Sequence, residues 1–225
     1  MTTPKKILIC GYSHCGTTIL KSIIGHIEEV EEIIDECDKI DQSTNKKYIL
    51  CKYPQAQSRF FDIEYKDYIK IFIIRNPLFV FSSINKRYGH YKLSKHHSIE
   101  RYINIVKMFI KYKNNPEKNI YTIKYEDLFP NNYEELKKIL NDIGFQYDNS
   151  IFDNSKYTNM AFSNVKNVKD KPSNQEHILY RTWQINQPII SNNHKSKIDL
   201  SDSQKEKLIN NSYVLELYPD INSAF

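Results

Sequence analysis

Lys6-Ile-Leu-Ile-Cys-Gly-Tyr-Ser-His-Cys-Gly-Thr-Thr-Ile-Leu-Lys21 decides how this chain is read. Residues 7–10 are apolar and make a short buried strand. A loop bracketed by Gly11 and Gly16 follows, and Thr17-Thr18-Ile19-Leu20 opens a helix. That is the layout of an anion cradle. Glycines let the backbone curl until successive N–H groups point inward, and the helix N-terminus favours negative charge. A nucleoside-triphosphate loop would read Gly-Lys-Thr, whereas Gly16 runs directly into Thr17-Thr18. The cradle is expected to hold an anion without the Walker lysine.

Outward from this stretch, short apolar runs at 7–10, 48–51, 68–74 and 120–124 predict strands. Helical patterns fall at 17–29, 77–87, 99–114 and 133–143. Continuous apolar strands separated by helices predict an α/β fold with a parallel sheet covered on both faces. Pro77 suits a helix first turn and Gly144 a helix C′ position. Residues 149–174 are polar and aperiodic and predict a long loop, a place where function often resides. A last helix over 201–212 has Ser201 as N-cap and Gln204 as its capping-box partner. No internal repeat is present, and residues 1–225 are expected to be one domain.

Composition narrows the classes. The 40% hydrophobic and 26% charged content are ordinary for a globular protein. A net charge of +5 suits anionic ligands but is spread too widely to point to nucleic acid. Cys10, Cys15, Cys37 and Cys51 lack zinc-finger spacing and read as reduced thiols. There is neither a signal-peptide pattern nor an apolar run near the ~20 residues of a membrane span, so the expectation is a cytoplasmic protein with no membrane association.

A second constellation is Ile71-Phe-Ile-Ile-Arg-Asn-Pro-Leu-Phe-Val-Phe-Ser-Ser-Ile-Asn-Lys-Arg-Tyr88. Arg75 ends a buried strand, where open α/β sheets place their ligands. Ser83 and Arg87 are i,i+4 neighbours on the helix expected from Pro77. An arginine fork, a hydroxyl and a second guanidinium suit a phosphate. The alternative is a surface arginine and a capping serine. A P-loop NTPase usually ends such a strand with an aspartate for magnesium, and here it ends in arginine.

Taken together these segments resemble the sulfotransferases that use 3′-phosphoadenosine 5′-phosphosulfate (PAPS). Gly11 to Leu20 resembles their 5′-phosphosulfate loop, with His14, Cys15, Gly16, Thr17 and Thr18 in the binding positions. Arg75-Asn76-Pro77 with Ser83 resembles the 3′-phosphate motif. Tyr125-Glu126-Asp127-Leu128 resembles the family's Tyr-Glu-Asp-Leu, whose tyrosine lies near the adenine. The resemblance runs from about residue 6 to 183 and implies a P-loop-like central parallel sheet flanked by helices. Ile19 stands where the enzymes of small phenols and steroids carry tryptophan, and their Arg-Lys-Gly segment is missing. Lys52-Tyr53-Pro54, Arg87, and Lys171-Pro172-Ser173-Asn174 before Arg181-Thr182-Trp183 are more similar to the tyrosylprotein and bacterial glycan-type branches. By that resemblance Lys171 and Ser163 would reach the cofactor.

The resemblance implies transfer of a sulfuryl group from PAPS to a hydroxyl or amine acceptor, with a carbohydrate, protein tyrosine and small metabolite all open. Positioning and charge stabilisation dominate such a reaction, and no metal is required. Lys52 is the candidate cation at the transferring group. Glu36, with Asp35 close behind, is the candidate general base, although any one member of the acidic run 28–36 reads more readily as part of a solvated face. His90, His96 and His97 are alternative bases. His14 stands where the family carries lysine or arginine, and a bound anion would raise its pKa and keep part of it cationic. Trp183 reads as a core edge or an adenine stack. Cys15 sits where a helix dipole lowers a thiol pKa. The competing functions are a P-loop nucleotide kinase or switch and a non-catalytic nucleotide-binding relative; oligomeric state is left open.

Overall fold

β1 (Lys5–Cys10), β2 (Val30–Glu36), β3 (Tyr48–Tyr53), β4 (Tyr68–Ile74) and β5 (Ile120–Lys124) form a parallel sheet in the order β2-β3-β1-β4-β5. The computed structural model describes residues 3–89, 95–153, 189–191, 193–194 and 198–224. Ser163, Lys171, Trp183 and His90 lie outside these residues, as do the side chains of Ile34 and Asp35.

Alternation along β1 sorts the core into two layers. Ile7 and Ile9 point to one face, where they meet Leu20, Ile23 and Ile24 of α1 (Thr17–Gly25) and Leu136 and Leu140 of α4 (Pro130–Ile143). Leu8 and Cys10 point to the other, against α2 (Pro77–Tyr88) and α3 (Ile99–Asn114) through Phe81, Ile84, Val106 and Phe109. All seven residues of β4 are buried. Each such aliphatic or aromatic side chain contributes roughly 1.5–3 kcal/mol when fully buried. This two-sided burial is what the unbroken apolar runs in the sequence predict.

The local signals mostly hold. Pro77 occupies the first turn of α2, and the Asn76 side chain caps it by accepting from the Leu78 N–H at 3.0 Å. Gly144 closes α4 in the left-handed region at φ 87°. The Ser201–Gln204 capping box is complete at the start of α5 (Asp202–Ile209). Gln204 also exchanges two amide hydrogen bonds with Asn85, at 2.9 and 3.2 Å, which fastens α5 to α2.

Two expectations are corrected. The helix expected over 17–29 stops at Gly25, and the acidic run beyond it becomes the edge strand β2. Val30 and Ile33 carry that strand's burial, while its carboxylates pair with lysines. The last helix is two helices. Asn210 closes the first, and Asn211 caps α6 (Ser212–Leu217), its side chain accepting from the N–H groups of Tyr213 and Val214 at 3.2 Å.

This topology fixes where a ligand can sit. From β1 the chain moves through α1 toward the β2 edge, and after β3 it crosses to β4 on the other side of β1. The order reverses between β1 and β4, so the crevice opens at their carboxyl ends.

Candidate active site

The cradle loop leaves β1 and lies directly on the end of β4. A Cβ on Gly11 would stand 2.2 Å from the Ile73 carbonyl oxygen, so the loop approaches the neighbouring strand as only glycine allows. His14 and Gly16 both adopt left-handed backbone, at φ 66° and 93°. Gly16 presses on Tyr125, whose ring Cδ2 would lie 2.4 Å from an added Cβ. Thr17 and Thr18 then begin α1, and both are buried.

Arg75 follows β4 and is 8% exposed. Its guanidinium lies over the Tyr125 ring, 4.3 Å from the centroid, a cation–π contact. Nη1 donates to the His14 carbonyl at 3.2 Å, and Nε donates to Asn193 Oδ1 at 2.8 Å. The Arg75 carbonyl accepts from the buried Tyr102 hydroxyl at 2.7 Å. Ser83, on the cleft side of α2, has its Oγ 2.7 Å from His14 Nδ1. Both residues of the 3′-phosphate-type motif thus converge on His14. Arg87, one turn beyond Ser83, lies over Tyr88, and Tyr88 stacks on His97 with centroids 5.0 Å apart.

His14 sits among cations. Burial, then Arg87, His97, Arg75 and Lys52, lower its pKa from the ordinary 6.5 to about 3. Its imidazole is neutral near pH 7 in the unliganded protein, and a positive charge there requires an anion that offsets these neighbours. At Cys15 burial outweighs the Arg75 guanidinium and the N–H groups around it and pushes the thiol up to about 12. Its side chain is fully buried beneath the loop.

A second cluster forms toward the β2 edge. Lys52, 3% exposed near the end of β3, donates to Thr18 Oγ1 at 2.8 Å and to Glu36 Oε1 at 3.1 Å. Glu36 reaches Lys52 because β2 slips against β3. Glu32 pairs with Leu50 and Glu36 with Lys52, so four steps along β2 cover two along β3. Such bulges re-aim side chains and are common beside active sites. Lys52 is therefore a buried, partnered cation rather than a solvated strand end, and Glu36 belongs to an ordered pair rather than a solvated acidic face. Asp35 lies within the bulge. His96 is exposed, and its carbonyl accepts from Gln55 Nε2 at 2.6 Å.

Sequence reasoning missed three supports. Glu126 Oε1 accepts from the Asn76 backbone N–H at 2.9 Å and from Asn193 Nδ2 at 2.8 Å. Tyr102 anchors the Arg75 backbone from α3. Asn193 has no periodicity or motif to mark it; only the fold brings it to Arg75. Tyr125 is almost fully buried beneath Gly16 and Arg75, with its hydroxyl donating to the Ile190 carbonyl at 3.3 Å. Among the described residues no group of three His, Cys, Asp or Glu is placed to hold a metal ion, and no helix is long and apolar enough to cross a membrane.

A parallel sheet with a glycine-bounded cradle at its switch point defines a P-loop-like protein, here one with arginine rather than aspartate ending the strand beside the cradle. The profile of the sulfotransferase domain matches residues 4–205. The chain belongs to the PAPS-dependent sulfotransferase family and is an enzyme of that kind. Its fold is similar to that of mouse sulfotransferase SULT7A1 complexed with PAP, at 16% identity over 96% of this chain and 88% of that one, with a TM-score of 0.58. Retinol dehydratase in a complex with retinol and PAP matches at 12% identity, 100% and 81% coverage and TM-score 0.46. Retinol dehydratase with androsterone and inactive cofactor PAP matches at 14% identity, 98% and 71% coverage and TM-score 0.43. No curated protein sequence matches the chain.

Proposed function

We propose that the loop from His14 to Thr18 holds the 5′-phosphosulfate of PAPS, that Arg75, Ser83 and Arg87 hold its 3′-phosphate, and that the sulfuryl group passes to a hydroxyl acceptor on the β2 side. The observation that carries this reading is the meeting of two distant segments at His14, through the Ser83 contact at 2.7 Å and the Arg75 contact at 3.2 Å. Cations and a hydroxyl placed on an N–H cradle form a site for a nucleotide with two separate anionic groups.

The chemistry divides along the same line. As the acceptor oxygen bonds to sulfur, its proton passes to the Glu36 carboxylate, and the bridging S–O bond breaks with its electron pair going to the nucleotide phosphate. Lys52, held by Thr18, stabilises charge on the transferring group, and the cradle N–H groups stabilise the leaving oxygen. Tyr125 braces Gly16 and Arg75 from beneath and so sets the floor of the nucleotide site. Ser163 and Lys171 would add cofactor contacts from the late segment. The Lys52-Tyr53-Pro54 and Lys171-Pro172-Ser173-Asn174 segments support a carbohydrate or protein tyrosine as acceptor over a small phenol or steroid.

Thermal shift tests the donor site. Adenosine 3′,5′-bisphosphate at about 100 times its Kd adds about 2.7 kcal/mol of stability. Adenosine 5′-monophosphate is expected to raise Tm much less. A larger shift with ATP–magnesium than with the bisphosphate overturns the reading in favour of a nucleotide kinase.

A further inference from the structure

Arg75 and Glu126 lie on either side of Asn193 without touching. Asn193 Oδ1 accepts from Arg75 Nε at 2.8 Å, and its Nδ2 donates to Glu126 Oε1 at 2.8 Å. The amide has one orientation that satisfies both, since only its oxygen can face the guanidinium and only its NH₂ can face the carboxylate. Glu126 is itself fixed: Oε1 also accepts from the Asn76 N–H at 2.9 Å, and Oε2 accepts from the Tyr218 hydroxyl at 3.3 Å. Among the described residues Arg75 has no carboxylate within ion-pair distance, although it is 8% exposed. Its inward N–H groups go to two neutral acceptors instead, the Asn193 amide and the His14 carbonyl.

We propose that Asn193 is a positioning residue for recognition of the 3′-phosphate: it separates Arg75 from Glu126 and locks the guanidinium so that its outer N–H groups face the cleft. This rests on the donor reading above. Two physical effects combine. A guanidinium held at Nε, at Nη1 and across the Tyr125 face has one orientation to offer, so little ordering remains to be done when an anion arrives. An Arg75–Glu126 ion pair, by contrast, would have to be broken before a phosphate could take the arginine, and pairs in buried surroundings are costly to break. The neutral amide passes a hydrogen bond from one side to the other without spending the positive charge.

The test is the ratio of affinities for adenosine 3′,5′-bisphosphate and adenosine 5′-monophosphate, measured by calorimetry on the full chain. Asn193→Ala is expected to weaken the bisphosphate about tenfold while leaving the monophosphate unchanged, because only one ligand uses Arg75. Asn193→Asp keeps an acceptor for Nε but adds negative charge beside the phosphate, and is expected to lose more than tenfold. Adding Glu126→Gln to Asn193→Ala is expected to restore part of the preference by removing the competing carboxylate. If Asn193→Ala does not fold, Asn193→Ser, too short to bridge both partners, carries the same expectation. Equal weakening of both ligands, or an unchanged ratio, overturns the proposal. A wild-type protein with no preference for the bisphosphate overturns the donor reading itself, before any variant is made.

Discussion

At the centre of the sheet the cradle closes on backbone and rings that cannot yield: the Ile73 carbonyl lies 2.2 Å from where a Gly11 Cβ would be, and the Tyr125 ring lies 2.4 Å from that of Gly16. At the β2 edge the contacts are of another kind. There an added Cβ on Gly25 would first meet a Glu32 carboxylate oxygen at 2.3 Å, and Lys21–Glu32 and Lys52–Glu36 hold the strand through side-chain ends. The nucleotide side of the proposed site is thus built from main chain and buried rings, and the acceptor side from long polar side chains on a slipped strand. The geometry of the proposed donor site is set by the same packing that holds the fold together. The placement of the proposed base depends on a local irregularity that the core does not need.

The largest expected effect strikes the centre. Gly11→Ala forces a methyl group into a β4 carbonyl and is expected to cost about 3 kcal/mol, near the top of the usual range for overpacking. For a chain of this size that lowers Tm by roughly 6–12 °C. A melt within a degree or two of wild type would show that the loop can lift away from β4, and the contrast between centre and edge would break.

Next comes the edge, through turnover. Glu36→Gln is expected to lower kcat for sulfuryl transfer from PAPS about a hundredfold, within the range for a general base. Bisphosphate affinity should stay near wild type, because the centre is untouched, while Tm falls as the buried Lys52 loses its carboxylate. Loss of bisphosphate binding in this variant would show that Glu36 acts by holding Lys52 against the cradle, which merges the two halves.

A smaller effect follows from His14. Its imidazole is neutral in the folded protein down to about pH 3 but takes up a proton near pH 6.5 when unfolded. The unfolded state binds more protons between those values, so this contribution to stability is fully present above about 6.5 and is lost as pH falls toward about 3. Urea unfolding of wild type and His14→Asn across that window should show a shallower acid decline in the variant. Parallel curves would mean that the ring is solvated and that its cationic neighbours do not act on it.

Smallest of all is Gly25→Ala. Better helix propensity offsets a small displacement of Glu32, and stability is expected to stay within about 0.5 kcal/mol of wild type. A loss as large as that at Gly11 would show the edge to be as rigid as the centre.

How much could be read beforehand follows the same division. The strands at 68–74 and 120–124 and the helix at 99–114 are found where the apolar pattern puts them, because two-sided burial leaves no choice of residue. The convergence of the cradle, Arg75 and Ser83 is legible for a related reason, since close backbone approach needs glycine and the proposed phosphate site calls for cations and hydroxyls. β2 is not legible. Among its described side chains only Val30 and Ile33 are buried apolar groups, and its acidic residues read as a solvated surface until Lys21 and Lys52 are seen opposite them. Asn193 is illegible for another reason: it meets Arg75 across 118 residues of chain, and no local pattern records that distance. The neutrality of His14 is also a property of the fold, since burial, and then Arg87, His97, Arg75 and Lys52 converging from different segments, hold its pKa down.

The slip in β2 has a consequence for how the molecule behaves in a crowded solution. An edge strand offers a row of open N–H and C=O groups to any other strand it meets, and a flat, regular edge invites stacking into aggregates. Four residues of β2 spent against two of β3 leave no even ladder over that stretch, and Glu31, Glu32 and Glu36 place negative charge along it. The irregularity that brings Glu36 to Lys52 also makes this end of the sheet a poor template for another chain, so regularising the strand would cost the protein both its ion pair and its protection from its own copies.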